Sequence, residues 1–145
     1  MSREILFKAK RKNWRELSKD EWWVEGSYHH QTDYYGESCD KNYIIDGTTT
    51  DMEGYGEHYE IDPETLCQYI YMNDKNGKRI WENDIVKHEV SDTIGTVKWY
   101  QEDYVGWCVD DIVIDEQQFT DEMWNECEVI GNIFDNPELL KGDAE

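Results

Sequence analysis

Large side chains in this chain recur at every second position, in short runs cut by polar turns. Trp22, Val24 and Tyr28 alternate with Glu25, Ser27 and His29; Val97 shares a face with Trp99; Val105, Trp107 and Val109 share another. A period of two belongs to a strand with one buried face, because successive side chains leave the pleated backbone on opposite sides. The turns between the runs are equally explicit. Asp74-Lys75-Asn76-Gly77 separates Leu66–Tyr71 from Lys78–Trp81, which reads as a hairpin. Glu82-Asn83-Asp84 then leads into Ile85–Val90, a polar turn leads into Ile94–Tyr100, and Gln101-Glu102-Asp103 leads into Tyr104–Val109. These last three runs form an antiparallel meander.

The rest of the chain reads in the same way. Ile5–Phe7 opens a strand, a basic irregular stretch runs to Asp20, and 31–42 is polar and glycine-bearing. Lys41–Asp46 and His58–Ile61 are short extended pieces on either side of a loop at 47–56. Asp62-Pro63-Glu64 starts one helical turn, with Asp62 as its cap and Pro63 at the first helical position. Residues 110–127 are strongly acidic, with 119–127 a short helix or loop. Glu128–Phe134 closes the sheet, Asn136-Pro137-Glu138 starts a second short helix, and 141–145 frays. The loop at 47–56 is the expected boundary between an N-terminal β-rich segment or small subdomain, 1–56, and a C-terminal small β-barrel domain, 57–145. Composition agrees with sheet: 12 Ile and 8 Val stand against 5 Leu and 2 Ala, a poor recipe for a helical bundle.

Leu, Ile, Val and Phe make up 28 of 145 residues, and the net charge is −20, a pairing that normally signals disorder. The 7 Trp and 10 Tyr oppose that reading, since each can bury roughly 150–250 Å². The chain is therefore expected to be globular. Its charge is uneven: residues 1–19 hold seven basic and two acidic groups, a +5 arm on a −25 body. Such a body repels phosphate backbones and anionic lipid, so neither direct nucleic-acid binding nor membrane binding is expected of it. For the arm, an exposed strand end drawn to the acidic body of the same or a neighbouring chain is favoured over a nucleic-acid contact. The apolar runs are too short for a membrane helix, and the N-terminus lacks the apolar core of a signal peptide, so an intracellular site is expected. Cys39, Cys67, Cys108 and Cys127 lack zinc-site spacing and read as reduced, packed thiols.

Catalytic and metal-binding patterns are weak. Met72–Asn83 holds Asp74, Asn76 and Gly77 in the order of a calcium loop, but Met72 and Asn83 occupy the positions of its two essential carboxylates. The pairs Glu102/Asp103, Asp110/Asp111, Asp115/Glu116 and Asp121/Glu122 read as solvated surface, because adjacent strand residues face opposite ways. His29 and His30 diverge for the same reason, and His58 and His88 stand apart. The sequence shows neither a nucleophile motif nor a phosphate loop. We expect no catalytic, cofactor-binding or metal-ligating residue, and no enzyme.

Three segments taken together carry a resemblance: Ile61–Tyr69, Asp74–Lys87 with its Asp-Lys-Asn-Gly-Lys-Arg-Ile-Trp-Glu-Asn-Asp-Ile-Val-Lys, and Glu128–Leu140 with its Ile-Gly-Asn-Ile-Phe-Asp-Asn-Pro-Glu-Leu-Leu. They resemble the signature segments of the YopX family of phage and prophage proteins. Weaker agreement at Phe7–Lys10, Trp23–Ser27 and Gly95–Trp99 extends it over nearly the whole chain. Asn83 departs from the pattern, standing where the family usually has Gly, and neither 31–56 nor 110–127 matches. The resemblance implies a β-rich protein with a small barrel, encoded by a phage or prophage and working in the host bacterial cytoplasm, with no established activity and no catalytic residue to transfer. Ile80-x-x-x-Asp84-Ile85-Val86 followed by Gly95-Thr96-Val97 suits an SH3-like barrel. The expected fold class is thus mainly β: a small antiparallel SH3-like barrel with extra N-terminal strands and one or two short helices.

A fold of this kind serves many functions. The favoured expectation is a non-enzymatic accessory protein that binds protein, forming a homo-oligomer or engaging a host protein through its sheet edges and surplus aromatics. The alternative is an acidic nucleic-acid mimic that blocks a host DNA-binding or defence protein. A metal-dependent hydrolase or nuclease is the remaining reading.

Overall fold

The structure is a computed structural model; it describes residues 5–46, 56–101, 106–110 and 121–140, with only the backbone of Asp121 and Glu122. The expected loop at 47–56 up to residue 55, the expected turn at 101–103 after Gln101, Tyr104 and Val105 of the run that follows it, residues 111–120 of the acidic stretch and the C-terminal 141–145 therefore lie outside the described residues. The strands are β1 (Phe7–Lys10), β2 (Trp23–Tyr34), β3 (Glu37–Asp46), β4 (Glu57–Glu60), β5 (Cys67–Asn73), β6 (Arg79–Trp81), β7 (Asp84–His88), β8 (Thr93–Tyr100), β9 (Gly106–Asp110) and β10 (Cys127–Asn132). Among the described residues, helix is confined to α1 (Asp121–Trp124) and four single 3-10 turns, and all strand pairing is antiparallel, in two sheets.

The chain divides into two compact units, Met1–Gln68 and Tyr69–Glu145. The division falls after Gln68 rather than at 56, because β4 pairs with β3 from Tyr43↔Glu60 to Asp46↔Glu57. The turn at Pro63–Thr65 belongs to the first unit too: the Lys10 amide donates to Thr65 Oγ1 at 2.8 Å. Asp62 caps that turn as its sequence predicts, accepting from the Glu64 amide.

The first unit orders its strands β4-β3-β2-β1, and Cys67 and Gln68 at the head of β5 pair with Lys8 and Phe7. Val24 and Gly26 point inward and Glu25 and Ser27 outward, which is the alternation seen in the sequence. Ala9, Val24, Ile44 and Ile61 form the buried core, flanked by Phe7, Tyr28, Tyr59 and Leu66. Sealing an Ile such as Ile44 contributes about 1.5–3 kcal/mol. The largest departure from expectation is the length of β2 and β3. The polar, glycine-bearing stretch at 31–42, which carried no strand pattern, is strand: β2 and β3 run through it and join at Tyr35-Gly36. Both turn residues have positive φ, +50° and +82°, as in the tight hairpin turns that match strand twist. From His30 to Lys41 every residue is exposed or half-exposed. Strands with two wet faces leave no period-two signal, which is why the polar composition concealed them.

In the second unit β5 and β6 form the expected hairpin, with Tyr69 opposite Trp81, and β10-β7-β8-β9 form a four-stranded sheet. Ile70, Ile80, Val86, Val97, Val109, Trp124 and Cys127 make its core. Trp81 and Trp124 do the work of the missing leucines, at 4% and 3% exposure. Gly95 admits no side chain: a Cβ there would lie 1.9 Å from the Asp110 carbonyl oxygen on the neighbouring strand. Asn83 has φ +71°, a left-handed conformation that Gly accepts freely and Asn better than most residues, so its departure from the family pattern keeps the same turn. The expected closed barrel is not found among the described residues: β9 and β10 are opposite edges of an open sheet and pair only with β8 and β7.

Candidate functional site

Three groupings bring polar chemistry together. The first is at Asp74, which the sequence raised as a calcium ligand. Asp74 is 4% exposed, and its carboxylate is spent on backbone amides. Oδ1 accepts from Asn76 and Lys78, and Oδ2 accepts from Val129 on β10, each at 2.9 Å. It ties the β5–β6 turn to a strand 55 residues away. Beside it the Lys75 amide donates to the Cys127 carbonyl, and the Lys75 ammonium pairs with Glu89 and lies 3.8 Å from Glu128. The hydrogen bond to Glu89 raises the Lys75 pKa.

The second is at His88, a residue the sequence left isolated. His88 is 3% exposed; its Nε2 lies 2.8 Å from Glu126 Oε1 and its Nδ1 2.7 Å from Ser91 Oγ, which in turn meets Thr93 Oγ1 at 2.6 Å. A serine, a histidine and a carboxylate in line is the skeleton of an activated nucleophile, so the surrounding donors decide what it can do. The Ser91 amide donates to His88 Nδ1 at 3.4 Å, and the Asp92 amide donates to the Glu89 carbonyl at 3.3 Å. The Ser91 and Asp92 amides are thus engaged within the turn, whereas an oxyanion site needs amides free to donate to the developing charge. The arrangement closes the β7–β8 turn and fastens Glu126 to it. Only tertiary structure joins residues 88 and 126; the local signal was His88-x-x-Ser91.

The third lies in the first unit, where the basic arm folds. Lys10 is 2% exposed and sits among indoles, its ammonium 3.8 Å from the Trp14 ring centre, 4.4 Å from Trp22 and 5.7 Å from Trp23. Lys8 lies over Trp23, Arg15 over Trp14, Lys19 over Trp22 and Arg11 over Tyr59. A cation on an indole face is worth about 0.5–2 kcal/mol, so the strand end is buried at Lys10 rather than exposed, while exposed Lys12 meets Glu60 at 3.1 Å, the expected attraction to the chain's own acidic residues; Arg15 and Lys19 lie exposed beside the indoles, with Glu16, Asp20 and Glu21 along the same turns. Trp22 Nε1 donates to the Leu17 carbonyl, whereas Trp14 Nε1 and Arg11 Nε have no acceptor among the described residues.

The β2–β3 ribbon completes the first unit. Its tip presents Tyr34 and Tyr35 in edge-to-face contact, 58% and 89% exposed. Asp33, Glu37 and Asp40 lie along it, and His30 Nε2 meets Asp40 Oδ1 at 2.6 Å across the strands. The histidines do not gather: His29 is exposed and His58 Nδ1 meets the Gly56 carbonyl. Among the described residues no three His, Cys, Asp or Glu side chains are placed to hold a metal, and all four cysteines are free thiols. Burial pushes the Cys127 thiol up to about 12. Of the acidic pairs, Glu102/Asp103 and Asp115/Glu116 lie outside the described residues, as does Asp111. No helix among the described residues is long and apolar enough to cross a membrane.

The mainly β fold of two small units agrees with the similarities this chain has to known proteins. The model of the family described as YopX protein matches residues 6–141, and the chain belongs to that family. None of the curated proteins matches it. Among solved structures, the crystal structure of protein EF1440 from Enterococcus faecalis aligns with a TM-score of 0.55 over 96% of this chain and 99% of that one, at 19% identity. The likeness at that identity is one of fold.

Proposed function

We propose that this YopX family member is a non-enzymatic accessory protein of a phage or prophage, working in the host cytoplasm by binding protein, further copies of itself included, through the β2–β3 ribbon. The exposure of Tyr34 and Tyr35 at the ribbon tip carries the reading. Tyrosine supplies a large contact area at little cost in side-chain entropy, and it concentrates at the energetic centres of protein interfaces. A two-stranded ribbon with both faces wet is only marginally stable, and a Tyr held at positive φ adds strain that nothing in the first unit's core repays. The energy that would justify both comes from a partner.

The test is affinity capture from infected host lysate with the wild-type chain and with a Tyr34→Ser, Tyr35→Ser variant of unchanged thermal stability. A protein held by the first and lost by the second is the expected result. Identical captures from both, or none from either together with a strictly monomeric wild type, would refute the reading. A host DNA-binding protein retained equally by both, and released by salt, would favour acidic nucleic-acid mimicry instead.

A further inference from the structure

Resting on that reading and naming its partner, we infer that the ribbon of one copy docks on the basic tryptophan surface of a second copy, and the second copy's ribbon on that of the first. The two surfaces are complementary in charge and chemistry. The ribbon carries exposed Asp33 and Glu37 beside its tyrosine tip, and the other surface carries exposed Arg15 and Lys19 over Trp14 and Trp22, with Lys8 and Lys10 behind them.

One copy cannot satisfy itself. Trp23 opposes Lys10 at the root of β2, and Tyr34 ends the same strand. Eleven residues at about 3.3 Å each put the tip roughly 35 Å from the indoles along the strand. Two copies related by a twofold axis, with their ribbons antiparallel, bring each tip to the other's root. The contact is then isologous and closed, giving a dimer rather than a chain of molecules. Opposite charges at its rim make it form faster and weaken with salt.

Sedimentation of the full chain at low and high salt, with a charge exchange, tests this. The wild type sediments as a dimer at low salt and shifts toward monomer at high salt. Reversing the ribbon (Asp33→Lys with Glu37→Lys) or the other surface (Arg15→Glu with Lys19→Glu) puts like charges opposite one another and weakens self-association by about 100-fold or more. Mixing the two variants restores the dimer, because both contacts regain opposite signs. These are exposed positions, and Tyr35→Ser provides a second probe that leaves charge unchanged. A monomeric wild type at low salt, variants that dimerise alone, or a mixture that stays monomeric would each overturn the inference. If lysate capture still depends on Tyr34 and Tyr35 in that event, the ribbon binds a different protein and only the second copy is excluded as its occupant.

Discussion

Replacing Asp74 tests whether its carboxylate holds the second unit together. Its two oxygens accept three backbone amides, two within the Asp74–Lys78 turn and one from Val129. A hydrogen bond to a charged group contributes about 1.5–3 kcal/mol. Asp74→Asn keeps one carbonyl oxygen for the two turn amides but turns an NH2 group toward the Val129 amide, donor against donor. The expected loss is the Val129 bond, about 2 kcal/mol, while the turn survives. Asp74→Ala removes all three bonds, but the exposed turn can recruit water for two of them, so the cost is about 3–5 kcal/mol rather than the full sum. Urea unfolding followed by amide hydrogen exchange across β7, β8 and β10 isolates this unit's transition. In Asp74→Asn the protection of Val129 should fall first and furthest. An Asn variant within about 0.5 kcal/mol of wild type, with Val129 still protected, would show that the carboxylate does not bridge the turn to β10.

Two other substitutions and a titration probe separate features. Asn83→Gly and Asn83→Val both give up the Lys98 contact at 3.2 Å, but at the left-handed φ of +71° Gly should stay within about 0.5 kcal/mol of wild type, whereas the strain of Val should cost about 1–3 kcal/mol; paired thermal melts decide. Cys39, half-exposed, should react first with a thiol reagent, and Cys67, Cys108 and Cys127 only as fast as the fold opens. The Cys127 thiol is raised from 9.0 to about 12, so the folded state favours its protonated form. That contribution is complete below pH 9 and is lost as pH rises through 9 toward 12. Removing the thiol with Cys127→Ala should flatten the loss of stability over that alkaline range, and an unchanged slope would contradict the assignment.

Among the described residues, the buried polar side chains of the second unit are tied to its turns. Asp74, Asp84 and His88 are all buried, and each is engaged with a turn: Asp84 accepts from the Trp81 amide as Asp74 does from its own turn, and His88 from the Ser91 amide. Small β units with few aliphatic residues rely on such bonds because their cores are thin. Tyr34 and Tyr35 at the ribbon tip are exposed.

Local chemistry determined what could be read directly. Asp62-Pro63, Asp74-Lys75-Asn76-Gly77 and the alternating runs through Val86, Val97 and Val109 act over a few residues, so their turns and strands follow from the sequence. The open sheet, the length of the ribbon and the fate of the basic arm were decided elsewhere. Lys10 looks like a solvent-facing cation until Trp14, Trp22 and Trp23 close round it. His88 looks isolated until β10 pairs with β7 and brings Glu126 to its ring. Residues 30–41 carry no pattern because neither of their faces is packed, and backbone pairing alone makes them strands. Pairing between distant segments is paid for in loop-closure entropy and repaid only by the whole assembled sheet, so no window of sequence contains it.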